Sequence, residues 1–266
     1  MEAIKVDNLS VAYEENVIID QMNLSIPKGE ISIIIGANGC GKSTLLKTIA
    51  RINKPVKGDI FINDKNMSQQ KERQLAAQIA FLPQGQTCPS GLTVRELVAF
   101  GRFPHQKMVG GLKKHDKDVI EWAMKETEVL EFADKTVENL SGGQRQRAWI
   151  AMTLAQETDI IMLDEPTTYL DISYQLEILE VLERLNRQKK ITVVMVLHEL
   201  NQACRFAGKI IGLKQGKVVC AGIPKEVITK ESLREIYGID VTLQLDEQKQ
   251  YPICMDYKLI REKIGA

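Results

Sequence analysis

The sequence has no surplus of charge of either sign: 35 lysines and arginines are matched by 35 aspartates and glutamates, a formal net charge of zero over 266 residues. That balance argues against a strongly basic surface and against nucleic acid as a partner. Long apolar runs are missing too. The longest aliphatic stretches, Ile31–Ile35 and Ile191–Leu197, are strand-sized and far short of the roughly 20 residues a membrane span needs. Met1–Asp7 has neither the basic nor the apolar region of a secretory signal, so any service to a membrane is expected to pass through a partner. The five cysteines, Cys40, Cys88, Cys204, Cys220 and Cys254, include no CxxC pair. This speaks against a zinc site or a disulfide framework and for reduced thiols. Low-complexity tracts, internal repeats and flexible linkers are also absent.

What is present is alternation. Hydrophobic residues make up 44% of the chain, enough for a sizeable core, and strand-like aliphatic runs alternate with helical patterns, as in an α/β protein with a largely parallel sheet. Ile4–Leu9, Val17–Ile19 and Met22–Ile26 read as short pieces of a small antiparallel sheet. Ile31–Ile35 is a buried strand and Lys42–Ile49 the helix after it; Ile60–Ile62 and Ile79–Leu82 are further strands around a polar helix near Gln69–Gln78. From Thr93 the pattern turns helical. Thr93 caps a helix through Phe100, with Glu96 at the capping-box position, and Asp116–Val129 and Gly142–Ala155 follow. This block, about residues 85–157, is expected to be an inserted helical subdomain within one domain spanning residues 1–266. Ile160–Leu163, Ile191–Leu197 and Ile210–Leu213 return to the core sheet. An extension over about 223–266 holds a helix near Glu231–Tyr237 and a weak hairpin, Val241–Leu245 with Tyr251–Met255. It carries no motif and is expected to pack on the core or assist dimerisation.

Gly36-Ala-Asn-Gly-Cys-Gly-Lys-Ser-Thr44 fits the phosphate-loop pattern GxxxxGK[ST]. Glycines let backbone N–H groups turn inward around phosphate oxygens, and the following helix adds the positive end of its dipole. The candidate nucleotide contacts are Gly36, Asn38, Gly39, Gly41, Lys42, Ser43 and Thr44. Lys42 would reach the β- and γ-phosphates and the Ser43 hydroxyl Mg²⁺. Ile160-Ile-Met-Leu-Asp-Glu165 is an aliphatic strand ending in two acids, where α/β sheets place their ligands. Asp164 is positioned to hold Mg²⁺ and Glu165 to orient or deprotonate a water; the plain alternative is two solvated acids. Leu140-Ser-Gly-Gly-Gln144 opens a helix with exposed N–H groups and a hydroxyl, a second anion-binding device, or else an ordinary N-cap followed by glycines.

The order of these motifs, LSGGQ-RQR shortly before an aliphatic strand ending in Asp-Glu, resembles the ABC ATPase family over about Ile4–Ile223. The resemblance implies a P-loop NTPase core with an antiparallel β subdomain and an inserted α-helical signature subdomain. It implies ATP and Mg²⁺ as ligands, and hydrolysis of ATP to ADP and phosphate. Ser141, Gly142, Gly143 and Gln144 would complete the site of a second copy in a head-to-tail dimer. Tyr13 matches the aromatic that stacks on adenine (a core tyrosine being the alternative), Gln84 the glutamine that senses Mg²⁺ and the attacking water, Asp171 of Tyr169-Leu-Asp171 the loop at the dimer seam, and His198 the histidine at the γ-phosphate. Two departures stand out. Ala37 replaces a frequent proline, and Cys40 replaces a frequent serine. The thiol in the loop is expected to make turnover sensitive to alkylation, with nucleotide protecting it.

Thr93–His105 and Glu165–Asp171 look like the ATPases of iron-chelate (siderophore), haem and cobalamin importers. That resemblance implies a peripheral subunit at the cytoplasmic face of the cell membrane, bound to separate integral membrane permease subunits and serving, indirectly, a substrate-binding protein. The Arg102–His105 segment would border the groove for the permease, unless Phe103 and Pro104 merely end a helix. Soluble family members of translation or DNA repair, and motors of importers or exporters for other substrates, are the competing expectations.

Overall fold

A computed structural model describes residues 1–106, 111–168, 170–246, 248 and 250–260. Its strands are β1 (Glu2–Tyr13), β2 (Asn16–Pro27), β3 (Ile31–Gly36), β4 (Lys57–Ile62), β5 (Lys65–Asn66), β6 (Ile79–Leu82), β7 (Ile160–Asp164), β8 (Thr192–Val196), β9 (Lys209–Lys214), β10 (Lys217–Gly222), β11 (Ile239–Leu245) and β12 (Pro252–Leu259). The helices are α1 (Lys42–Ile49), α2 (Glu72–Ala76), α3 (Val94–Ala99), α4 (Lys114–Glu126), α5 (Gly142–Ala155), α6 (Ile172–Lys189), α7 (Leu200–Phe206), α8 (Pro224–Val227) and α9 (Lys230–Tyr237). Two compact units emerge: Met1–Ser68 together with the chain from Val194 on, and Gln69–Val193.

In the first unit, β2, β1, β4 and β5 form an antiparallel sheet in that order. Ile4, Val6, Leu9 and Val11 of β1 point into the core. β2 is one strand where the apolar pattern suggested two. Gln21 takes a positive φ of 48° at an irregularity in the pairing, and its N–H is satisfied by Ser10 Oγ at 3.0 Å. A bulge thus absorbs the polar interruption without ending the strand. β3 is buried along its whole length and runs parallel to β9, with Ile33 opposite Ile210 and Gly36 opposite Leu213. A strand covered on both faces reads as an unbroken apolar run, which is why Ile31–Ile35 shows no alternation. β10 returns antiparallel to β9, and β11 and β12 form the hairpin of the extension.

In the second unit, β6 and β7 pair in parallel, Ile79 opposite Ile160 and Leu82 opposite Leu163. The helices bury their apolar faces: Val94, Leu97 and Val98 from α3, Val119, Ile120, Ala123 and Met124 from α4, and Ala148, Ile150, Ala151 and Leu154 from α5. The Thr93–Glu96 and Ser141–Gln144 capping boxes both form. α6 is a long helix with no counterpart in the sequence expectations. Asp171 caps it, and Ile178, Leu179, Leu182 and Leu185 form its buried stripe.

Candidate functional site

The phosphate loop is shaped by glycine. Gly39 and Gly41 sit at φ +78° and +104°, a region costly for residues with a Cβ. At Gly36, a Cβ would stand 2.4 Å from the Leu213 carbonyl oxygen. Lys42 is 5% exposed; its Nζ donates to the carbonyls of Gly36 at 2.8 Å and Ala37 at 3.1 Å, which keeps the cation inside the loop. α1 begins right after Gly41 with no acidic residue in its first turn, so nothing offsets the positive end of its dipole. Tyr13, at the end of β1, is 48% exposed, with its hydroxyl accepting from Asn53 Nδ2 at 2.6 Å. Tyr13 is therefore exposed and not a core tyrosine. His198 is exposed just beyond β8, beside Glu199, which caps α7.

In the second unit the parallel register of β6 and β7 brings two candidate site residues together. Gln84 lies two residues past Leu82 and Glu165 two past Leu163, the last paired residues, so the two side chains arrive together. Gln84 Nε2 donates to Glu165 Oε2 at 2.6 Å, and Thr168 Oγ1 donates to the same oxygen at 3.0 Å. Glu165 itself sits at φ +53°. A left-handed glutamate costs on the order of 1–2 kcal/mol, so the turn after β7 holds its carboxylate in place at some expense. Asp164, the last residue of β7, is 1% exposed. Thr168 was not foreseen; its position in a turn after the acidic pair was the available signal.

Ser141 Oγ accepts from the Gln144 N–H at 3.3 Å while Gln144 Oε1 accepts from the Ser141 N–H at 3.1 Å. These bonds fix the start of α5 and leave the serine's own O–H proton out of the box. Gly142 is open, whereas a Cβ on Gly143 would meet the Tyr174 ring at 3.0 Å. Arg147 covers that ring at 5.5 Å. Asp171 accepts from the Tyr174 N–H at 3.1 Å and from Ser173 Oγ at 2.8 Å. The Tyr174 amide above all, then Ser173, hold its carboxyl below the usual range. Tyr169, its neighbour in the motif, lies outside the described residues.

Among the described residues no three His, Cys, Asp or Glu side chains gather as a metal cage. Ser43 of the first unit offers a hydroxyl, and Gln84 and Asp164 of the second an amide oxygen and a carboxylate, all oxygen donors. Hard oxygen donors of this kind suit Mg²⁺, which is usually held by one or two carboxylates and completes its shell with water and substrate phosphates.

Burial bears on two sequence expectations. Arg102, in the segment expected to border a permease, is 2% exposed and lies inside the unit, bonded to Asp116 at 2.9 Å, Glu157 at 2.7 Å and the Ala155 carbonyl at 2.8 Å. Its neighbour Phe103 is 61% exposed and stacks on Phe100, ring centroids 5.4 Å apart. Cys40 is 5% exposed, and burial pushes its thiol up despite the pull of nearby Lys42. Alkylation at neutral pH is therefore expected to modify the partly exposed Cys88 well before Cys40, as peptide mass spectrometry would show. Cys40 labelled first would mean that the loop is open.

A family model described as "ABC transporter" matches residues 19–168. The iron(3+)-hydroxamate import ATP-binding protein FhuC of Bacillus subtilis (strain 168) is 46% identical over 99% of this chain and 98% of its own length. The ferric enterobactin transport ATP-binding protein FepC of Escherichia coli (strain K12) is 46% identical over 88% and 86%. Among solved structures, a metal-chelate type ABC transporter in an inward-facing conformation superposes with a TM-score of 0.83 at 30% identity, covering 98% of each chain. A dimeric ATP-binding cassette in a post-hydrolysis state with ADP and phosphate superposes at 0.73 with 31% identity, over 83% of this chain and 98% of its own.

Proposed function

This chain belongs to the ABC transporter family, and we propose that it is the ATPase subunit of an importer for iron chelates of the siderophore type. The observation that carries the reading is the nearly end-to-end match, 46% identical, to a subunit named for iron-hydroxamate import. We read residues 1–266 as one nucleotide-binding domain, with about 85–157 as its helical subdomain and about 223–266 as a C-terminal extension. No helix among the described residues is long and apolar enough to cross a membrane. We place the chain at the cytoplasmic face, attached to separate permease subunits that receive cargo from a substrate-binding protein.

The chemistry follows from the residues. ATP is the substrate. Tyr13 stacks on the base, and the N–H groups of the Gly36–Thr44 loop and the Lys42 ammonium bind the phosphates. Ser43, Gln84 and Asp164 would hold Mg²⁺, which would neutralise charge developing on the phosphate oxygens. Glu165, oriented by Gln84 and Thr168, accepts a proton from the attacking water, and His198 positions the γ-phosphate. Ser141, Gly142 and Gly143 of a second copy donate from the other side, and Asp171 lies at the seam. ATP therefore favours the dimer and hydrolysis releases it, a population shift that performs the work.

Phe100 and Phe103 border a cavity of about 380 Å³ with Leu92, Ala99 and Leu112, an apolar recess suited to a short helix of the permease. Phe103→Ala is expected to abolish co-purification with the permease subunits while the free chain's ATPase rate stays within about twofold, since the ring is remote in role from the nucleotide. Wild-type recovery of the complex would contradict the docking assignment. ATP turnover that requires Mg²⁺ and disappears with EDTA tests the enzymatic part of the reading; metal-independent turnover would overturn it.

A further inference from the structure

The extension beyond Gly222 has no motif, yet it reaches the phosphate loop. Leu233 and Ile236 bury one face of α9, and Thr229 caps its start. Its seat is Gly212 of β9, where a Cβ would stand 2.5 Å from Ile236 Cδ1; the missing side chain lets Ile236 press onto the strand. Gly212 is paired with Ile35 across the parallel ladder of β3 and β9. The residue after Ile236 therefore arrives beside the residue after Ile35. These are Tyr237 and Gly36, and the Gly36 N–H donates to the Tyr237 hydroxyl at 2.9 Å across 201 positions of sequence.

The tyrosine is fixed from behind. Gly238 ends α9 at φ +68°, and its carbonyl accepts from the Ile260 N–H at 2.9 Å. The hairpin of β11 and β12 grips α7 through Asn201, whose amide bonds the Cys254 N–H at 2.8 Å and its carbonyl at 3.3 Å. The Tyr237 ring also lines, with His198, Tyr257 and Leu259, a cavity of about 360 Å³. One side chain of the extension thus touches the loop before α1 and borders the segment before α7.

We propose that Tyr237 is a positioning residue for ATP binding, holding the first glycine of the phosphate loop so that the N–H groups after it converge on the phosphates. This rests on reading Gly36–Thr44 as the ATP site. Glycine is the freest backbone unit, and Gly36, crowded by Leu213 on one side, is pinned on the other by this bond. Burial pushes the phenol well above its ordinary range, partly countered by the Gly36 amide, so the hydroxyl stays neutral and available as an acceptor. A loop held in one shape binds phosphate alike before and during reaction, so its loosening raises KM and leaves kcat alone.

Tyr237→Phe keeps the ring and removes only the acceptor. One lost bond with a buried partner left unmade corresponds to about a tenfold change in an equilibrium constant. The full-length variant is expected to show about a tenfold higher Kd and KM for ATP with kcat within about twofold, while Tyr257→Phe, at a 65% exposed tyrosine, matches the wild type. In nucleotide-free wild-type protein the Gly36 amide is expected to exchange slowly with deuterium, a readout that needs no variant. A wild-type Kd in Tyr237→Phe, a fall in kcat at unchanged KM, or fast exchange at Gly36 in the wild type would each overturn the positioning role. A wild-type chain that does not bind ATP would instead overturn the reading of the loop.

Discussion

Replacing Glu165 with glutamine is expected to leave ATP binding near the wild-type level and to slow hydrolysis by about 10²–10⁴-fold, the usual contribution of a general base. The geometry explains why binding survives. Gln84 and Thr168 both donate to one carboxylate oxygen, and a glutamine carbonyl can accept both bonds in the same place. What disappears is the negative charge and the capacity to take a proton from water. ATP that is bound but not hydrolysed should hold the two copies together, so the variant is expected to run as a dimer in size-exclusion chromatography with ATP, and as a monomer without it. Turnover near the wild-type rate would remove Glu165 from the mechanism.

Arg102→Ala is expected to be the most damaging change away from the nucleotide. Arg102 and Asp116 form a buried pair, 2% and 9% exposed at the side chain, while Glu157 is 35% exposed and its share is screened by solvent. Deleting one member of a buried pair leaves the other charged and unpaired, a loss of about 3–5 kcal/mol that urea unfolding at neutral pH would measure. The pH dependence has a definite sign. Burial alone would raise the Asp116 pKa, but the Lys113 amide and the Arg102 guanidinium outweigh it and hold the value below the ordinary one. Asp116 therefore contributes stability above its unfolded pKa, about 3.9, and that contribution is lost as pH falls through the lower folded value. Without Arg102 the carboxyl protonates more readily, so the gap between variant and wild type is expected to narrow below about pH 4. A gap that stays constant in acid would contradict the pairing.

Much of this arrangement was evident from local pattern. α1 and α5 fall on the residues expected from their motifs, and Thr93 and Ser141 cap their helices through the glutamate and glutamine three residues on. Local signals sufficed because helix starts and phosphate loops are set by neighbours in sequence. α6 follows no motif, although Ile178, Leu179, Leu182 and Leu185 mark a helical face; Asp171, which the family resemblance places in a loop, is also its cap. The meeting of Gln84 with Glu165 depends on which strands are neighbours and in what register. The Tyr237–Gly36 bond depends on one glycine admitting one isoleucine. Arg102 shows the same limit: only the packing of α4 and the end of α5 reveals that its partners are inside. Local sequence does not encode such long-range pairings.

The most direct test of the central claim is uptake of a radiolabelled ferric hydroxamate by cells lacking this chain and complemented with either the wild type or Glu165→Gln. The account predicts uptake restored by the wild type and absent with the glutamine variant, although both proteins bind ATP. Uptake that is unaffected by removal of the chain, or equally restored by both, would contradict it.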